Sequence, residues 1–336
     1  MIKKFTLFLL IGLLIIIVFP VQQNTLFDHI ATPVHTKIDS IVEGKTNPTE
    51  LKTPENQMFS IRNVQMNMSK DQVESNLGKP EDTIGNEYGT DWYIYHNQFH
   101  DYVMVAYVDG KVHGLYTNQN IITSKEGIKY NSPKDFVREK LGKPIEQIKK
   151  GNTIYRQKSD EYDVFDIDRI YTTVFYDKHE NNQLTGILQV SHTLENRLNA
   201  RYAAPSDYLQ KSYELEDFYL VNAARVQKGL KPLKHSDELT NTARKHSTDM
   251  AKNHYFDHNN PQGQTPFDRL KEEGINYNVA AENLAYGQVS GIFAHHGLMN
   301  SIGHRKNILN KNVNRLGVGV DFNSEQQPYW TENYTN

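Results

Sequence analysis

Cysteine is absent from this chain of 336 residues. That absence excludes disulfide scaffolds, zinc–thiolate sites, cysteine nucleophiles and lipoprotein-type anchors. An excess of one charge sign is also missing. Lys and Arg number 37 against 40 Asp and Glu, a formal net charge of −3, so nothing electrostatic points to nucleic acid as a partner. Neither a G-x-S-x-G elbow nor an H-E-x-x-H helix occurs, which removes two common hydrolase signatures. With 38% hydrophobic and 23% charged residues, the length suffices for two ordinary domains with cores of their own.

Long apolar runs are confined to the N-terminus, "MIKKFTLFLLIGLLIIIVFPVQQN". Lys3 and Lys4 precede a run from Phe5 to Val21 broken only by Thr6, Gly12 and Pro20. At ~1.5 Å per residue it approaches the minimum length for a membrane span. No small-x-small cleavage site follows Pro20, so residues 1–21 read as an uncleaved anchor with the lysines inside and everything downstream outside. Residues 22–58, with "EGKTNPTELKTPENQ", carry no apolar period and read as an extracellular spacer.

An internal duplication follows. "MSKDQVESNLGKP" at 68–80 matches "SPKDFVREKLGKP" at 132–144, an offset of 64 residues. Each copy predicts a helix: Ser69 and Ser132 as N-caps, Val73/Leu77 and Val137/Leu141 at i, i+4, and Gly-Lys-Pro as a stop. Each helix leads into strand-like sequence, with Asp109-Gly110 as a hairpin turn in the first copy. Residues 59–195 therefore read as an α+β domain of two helix-plus-meander units. His96, His100 and His113 are scattered along its strands as half-exposed positions, which marks the domain as accessory.

The pattern turns helical after a connector at 196–212, and the domain at 213–336 is expected to fold independently. "YELEDFYLVNAARVQKGL" is a helix ended by Gly229. "SDELTNTARKHSTDMAKNH" starts on a Ser236 cap and places Leu239, Ala243, His246 and Met250 on one face, making His246 a packed core histidine. His258 begins a turn region, Glu282 lies in "AAENLAYG", a short helix covers "GIFAHHGLMNS", and His304 follows Gly303. "RLGVGVDF" and the segment from about Pro328 read as an antiparallel hairpin.

The order of "YFDHNNPQG", "AENLA", "NSIGHRKNIL" and "LGVGV" resembles the CAP superfamily, which includes cysteine-rich secretory proteins, antigen 5 and plant pathogenesis-related proteins. The duplicated region resembles the CAP-associated N-terminal domain of anchored Gram-positive members. The resemblance implies an α–β–α sandwich at 213–336, with His258, Glu282 and His304 facing one cleft, and a lipid or sterol as ligand. It also implies Zn²⁺ as a candidate cofactor, with His258 and His304 as its ligands. Animal and plant members carry a second glutamate in the helix before the last histidine, and the equivalent place here falls near Ser301. His295, His296 and Glu332 are the candidates to replace it, although adjacent helical residues point about 100° apart. Gly303 is expected to turn the backbone so that His304 faces the cavity, with Arg305 and Lys306 in solvent.

Three functions remain open. The chain is an anchored extracellular module that binds a lipid or peptide-like ligand, with or without Zn²⁺. Or it is a hydrolase using Ser301, His304 and Glu282. Or it is a structural envelope protein that engages a cell-wall polymer, its cleft vestigial.

Overall fold

The computed structural model describes residues 50–150 and 153–336. The anchor expected over 1–21, and the spacer as far as 49, lie outside the described residues. Among the described residues no helix is long and apolar enough to cross a membrane.

The first region runs β1 (Phe59–Ile61), α1 (Lys70–Leu77), β2 (Asp82–Gly85), β3 (Asp91–Asn97), β4 (His100–Val108), β5 (Lys111–Thr117) and β6 (Ile122–Ser124). The second copy follows as α2 (Lys134–Leu141), β7 (Gln147–Lys150), β8 (Thr153–Arg156), β9 (Tyr162–Ile167), β10 (Ile170–Asp177) and β11 (Gln183–Ser191), closed by α3 (His192–Glu195). The two meanders join edge to edge in one antiparallel seven-stranded sheet, β2-β3-β4-β5-β11-β10-β9. Val73 and Val137, equivalent positions in α1 and α2, are both fully buried in one cluster on that sheet. Ser69 caps α1 in a capping box with Gln72, as its position predicts. Ser132 does not cap α2. Its equivalent under the 64-residue offset is Met68, so Pro133 stands at the N-cap and the Ser132 hydroxyl accepts from Lys129 N instead.

The C-terminal region runs α4 (Asp207–Gln227), β12 (Lys234–His235), α5 (Asp237–Asn253), α6 (Pro266–Glu272), β13 (Ala280–Tyr286), α7 (Gly291–Asn300), α8 (Ile302–Ile308), β14 (Arg315–Phe322) and β15 (Pro328–Thr335). Its sheet, ordered β12-β14-β15-β13, is the middle layer of an α–β–α sandwich. Leu316, Val318 and Val320 of β14 point to α4, α7 and α8, into a cluster with Tyr213, Val221, Ala294, Leu298 and Ile308. The alternate residues, Gly317 and Gly319, face α5 so closely that a Cβ would lie 2.1 Å from Thr240 N and 1.9 Å from Arg244 N, respectively. These glycines let a helix lie directly on the strand backbone.

Each region has a hydrophobic cluster of its own, and a further cluster is shared between them. Helix α4 begins within the 196–212 segment, on a Ser206 cap, and is buried on both sides. Leu220 and Ala223 of α4 and Ile292 of α7 enter one cluster with Trp92, Met104, Tyr116, Phe175 and Leu188 of the seven-stranded sheet. His296 stacks on Phe175 with centroids 3.9 Å apart, and its Nε2 lies 3.0 Å from the Tyr116 hydroxyl. Residues 50–336 form one compact unit, so the expectation of independent folding has to be weighed against the shared cluster.

Candidate functional site

Strand β13 is the edge of the C-terminal sheet, and alternation puts Glu282, Leu284 and Tyr286 on the face covered by α5. The Glu282 side chain is only 2% exposed. Two cations or donors meet it. His258 Nδ1 donates to Oε1 at 2.9 Å, and Arg269 Nη2 donates to Oε2 at 2.8 Å. Burial alone would push the Glu282 carboxyl up, but the His258 hydrogen bond and the Arg269 charge hold it below the ordinary range. Facing an ionised carboxylate, His258 Nδ1 carries the proton, so its Nε2 is the acceptor in the neutral ring.

Local sequence explains these placements. Arg269 rides on α6, which starts with a Thr265/Asp268 capping box and Pro266 at its first turn. His258 sits in a loop braced by Asn260, whose Oδ1 accepts from the backbone of Gln262 and Gln264. Gly263 has φ 84° in that loop, a conformation glycine adopts without strain. The His258 side chain is 47% exposed, so it forms the open edge of the cluster.

His304 is half-buried on α8, beside β13: Asn283 Nδ2 donates to its carbonyl at 3.2 Å, and Asn307 Nδ2 donates to the Glu282 carbonyl at 3.3 Å. Burial pushes its imidazole down to about 4, and the neighbouring His258 charge pushes the same way. Its buried Nδ1 has no hydrogen-bond partner among the described residues. At neutral pH His304 is therefore neutral, and the Glu282 carboxylate is paired with Arg269.

Several expectations change. Gly303 lies inside α8, and the chain breaks one residue pair earlier, at Ser301, where φ −97° and ψ 114° separate α7 from α8. Lys306 is exposed as expected, but Arg305 is buried. His295 and His296 are buried, His296 against the seven-stranded sheet, and do not complete the cleft. Glu332, fully buried, points to the opposite face of the sheet, where it accepts from Asn283 Nδ2 at 2.7 Å and from the Tyr334 hydroxyl at 2.6 Å. Among the described residues no hydrogen bond joins Ser301 to His304, and Glu282 engages His258 and Arg269 instead. The charge relay drawn for a hydrolase is not formed.

The donor set also bears on zinc. Among the described residues no group of three or more His, Asp or Glu side chains is arranged to hold a metal. Both Glu282 oxygens are committed, one of them to a guanidinium, which leaves His258 and His304 as two nitrogen donors. Three protein ligands are the usual minimum for zinc, so these residues do not fit a resident ion.

Sequence reasoning missed two members of the cluster. The 4-3-4 spacing puts His246 in the core, and it is buried, its Nε2 3.0 Å from the Asp257 carbonyl; burial lowers its pKa, and it lies near enough to Glu282 for the two to interact electrostatically. Arg269 gave no local signal, because its partner lies 13 residues away across a layer boundary. Exposed hydrophobic residues lie close in sequence to these side chains. Seven large hydrophobic residues are exposed among the described residues, and four of them, Phe256, Phe267, Tyr286 and Ile302, lie within four positions of His258, Arg269, Glu282 or His304. Phe256 and Tyr286 rings are 5.8 Å apart, and Tyr286 packs on Tyr329 at 4.3 Å.

Residues 66–200 match the CAP-associated N-terminal family, and residues 218–334 match the cysteine-rich secretory protein family, CAP. An uncharacterized membrane protein of Bacillus subtilis (strain 168), YlbC, is 28% identical over 323 residues, covering 88% of this chain and 92% of YlbC. A second protein of that organism, the uncharacterized YkwD, is 41% identical over 138 residues, and the match spans 41% of this chain and 52% of YkwD. Among solved structures, an extracellular SCP-domain protein of Bacillus anthracis superposes with a TM-score of 0.69 at 24% identity, covering 88% of this chain and all of that one (100%). A cysteine-rich secretory protein of Staphylococcus aureus superposes with a TM-score of 0.65 at 16% identity, covering 85% of this chain and 98% of that one.

Proposed function

Because the chain is a CAP-family protein whose CAP domain follows a CAP-associated N-terminal domain, we propose that it is an envelope protein whose cleft binds an uncharged, amphiphilic ligand, a lipid or a peptide-like chain. The observation that carries this reading is the pairing of a charge-neutralised polar floor, His258–Glu282–Arg269, with the exposed aromatic rings of Phe256 and Tyr286. A fixed carboxylate that already has its counter-cation offers hydrogen bonds without selecting for charge, while exposed rings supply apolar contact area. Hydrolysis through Ser301 is not favoured, since among the described residues Ser301 makes no hydrogen bond to His304 and Glu282 is committed to His258 and Arg269. Zinc would meet two imidazoles only and is not needed by this reading.

Anchorage and an extracellular location belong to the same proposal. They are supported by the N-terminal apolar run, by the name of YlbC as a membrane protein, and by that of the Bacillus anthracis relative as extracellular. Protease added to intact cells should remove the domains beyond the spacer.

The binding test titrates the protein with a fluorescent fatty acid, a fluorescent sterol and a peptide library. A probe that binds should lose roughly tenfold in affinity, about 1.4 kcal/mol, in the Phe256→Ala/Tyr286→Ala double variant. Binding that is indifferent to these two rings and to His258→Ala places the ligand elsewhere. Elemental analysis with a His258→Ala/His304→Ala control reports on zinc.

A further inference from the structure

We infer that the N-terminal domain positions His304: the turn between β10 and β11 clamps the α7–α8 junction through Arg305 and so sets where the cleft imidazole stands. The inference rests on His304 belonging to the ligand cleft, as proposed above.

Helix α8 has little to hold it by itself. It is seven residues long, and Ser301 at its N-cap makes no side-chain capping bond. Helices this short are marginal without tertiary anchors. Asn283, Asn307, Arg225 and Ile308 hold it within its own domain, and a second set of anchors comes from the N-terminal domain. Arg305, with a side chain 10% exposed, places Nη2 at 2.8 Å from Asp177 Oδ2 and 3.1 Å from Glu180 Oε1. Asn300, the last residue of α7, accepts from Lys178 N at 2.9 Å and donates to the Tyr176 carbonyl at 2.9 Å. The Asn300 carbonyl lies 2.9 Å from His179 Nε2. Glu180 also takes Lys228, just beyond α4, at 2.6 and 2.8 Å, which ties both helices to one turn.

Neighbouring residues on a helix point about 100° apart. Arg305 therefore engages the N-terminal domain while His304, one position earlier, faces the cleft, and Ile308 fixes the third direction in the core. Any rotation of α8 that relaxes the Arg305 contacts also swings the imidazole. Two anions, Asp177 and Glu180, meet two cations, Arg305 and Lys228, so removing one member leaves a low-exposure charge without its partner. Asp177 and Arg305 are thus positioning residues, acting on the cleft through α8.

The test uses the full chain in detergent with 13Cε1-labelled histidine, and His304 is assigned by its loss in His304→Gln. Asp177→Asn and Arg305→Met should each shift the His304 resonance at neutral pH. Amide exchange over 302–308 should quicken by about tenfold. The Asp177→Asn/Arg305→Met pair should add nothing beyond either single change, and Asp177→Glu should restore the parent spectrum. His246, in a different layer, should keep its resonance. An unmoved His304 in both single variants overturns the inference, as does a uniform shift of all histidines, which would report general loosening. Because this readout needs no ligand, the cleft reading can fail on binding data while the clamp stands or falls on the spectrum.

Discussion

An alanine at Gly186 probes the seam between the two regions with a single methyl group. The added Cβ would lie 2.7 Å from both Cε1 and Nε2 of His296, and 3.2 Å from the Thr117 carbonyl oxygen. Carbon contacts are favourable at roughly 3.5–4.0 Å, so the ring must retreat by about 1 Å. It has nowhere to go. It is 5% exposed, stacked at 3.9 Å and 2° on Phe175, and hydrogen-bonded to Tyr116. Overpacking of this kind costs about 1–3 kcal/mol, and losing the Tyr116 hydrogen bond adds about 1. Reduced entropy of the unfolded chain returns up to about 1 kcal/mol. The net expectation is a loss of about 1–3 kcal/mol, which for a chain of this size is a fall in Tm of very roughly 2–8 °C by scanning calorimetry. Gly297→Ala is the control, since nothing lies within 4 Å of its Cβ and the site is helical; it should stabilise slightly. In a Gly186→Ala/His296→Ala chain the wedge has lost its target, so the two costs should fall short of additivity by about 1 kcal/mol. A Gly186→Ala protein that melts with the parent, or costs that add, would refute the packing argument.

The CAP region cut at Ala204 should be molten and bind a hydrophobic dye. Without the seven-stranded sheet it uncovers Leu220 and Ile292, both fully buried, at about 1.5–3 kcal/mol each against a total stability of about 5–15; a sharp melt of its own would show that the shared core is dispensable. Glu282→Gln should cost about 3–5 kcal/mol in urea unfolding by stranding Arg269, whose side chain is 8% exposed, whereas His258→Ala, at a half-exposed edge, should cost under about 1. Equal losses would contradict the geometry of the cluster. Acid should destabilise the fold between pH 6.5 and 4. Burial pushes His295 down to about 3 and His304 to about 4, so the unfolded chain takes up those protons first, and stability present above pH 6.5 is lost on acidification with a slope of up to about 1.4 kcal/mol per pH unit per ring. Glu87 works the other way. Burial raises it to about 7, so its contribution is complete below pH 4.5 and fades as pH rises through 7. His295→Phe should flatten the acid limb of the urea midpoint and Glu87→Gln the alkaline one, and swapped effects would reverse the assignment.

What was legible in the sequence was legible because it is local. The Ser69 and Ser236 caps bond within three residues, and the alternation in "LGVGV" sorts one strand face from the other. Local pattern does not say what lies across a face. Gly317 and Gly319 mark the strand, but only the fold shows that α5 needs the space of their missing side chains. Arg305 sits between polar and basic neighbours and reads as solvent-facing, yet its partner Asp177 is 128 residues earlier. Helix α4 carried a clue that the sequence reading left unused. Its apolar residues go most of the way round, Phe218 and Val221 towards one cluster and Leu220 and Ala223 towards another, and a helix of that kind is buried on both sides. The 4-3-4 spacing that made His246 a core residue is correct as to burial and silent as to the carboxylate beside it.

The duplication also explains why only its second copy reaches α8. In the first copy β4 passes to β5 through two residues, Asp109 and Gly110, with φ 49° and 71°, a tight turn whose end meets α1 where Lys70 N donates to the Gly110 carbonyl. In the second, Lys134 N donates to the Asn182 carbonyl in the same way, so Asn181-Asn182, with φ 56° and 52°, occupy the equivalent turn. Between β10 and that turn stand Lys178, His179 and Glu180, which have no counterpart in the first copy. Those three residues supply the Lys178 amide and the His179 ring to Asn300, and the Glu180 carboxylate to Arg305 and Lys228. Two units that began alike thus bear on the sandwich differently. The first presses β2 against α4, where Gly85 N donates to Ser212 Oγ at 2.8 Å and the Tyr219 hydroxyl donates to Asp82 at 2.8 Å. In the second, β7 leaves the main sheet and pairs only with β8. Its lengthened turn reaches the short helix that carries His304, a contact the two-residue turn of the first copy has no residues to make.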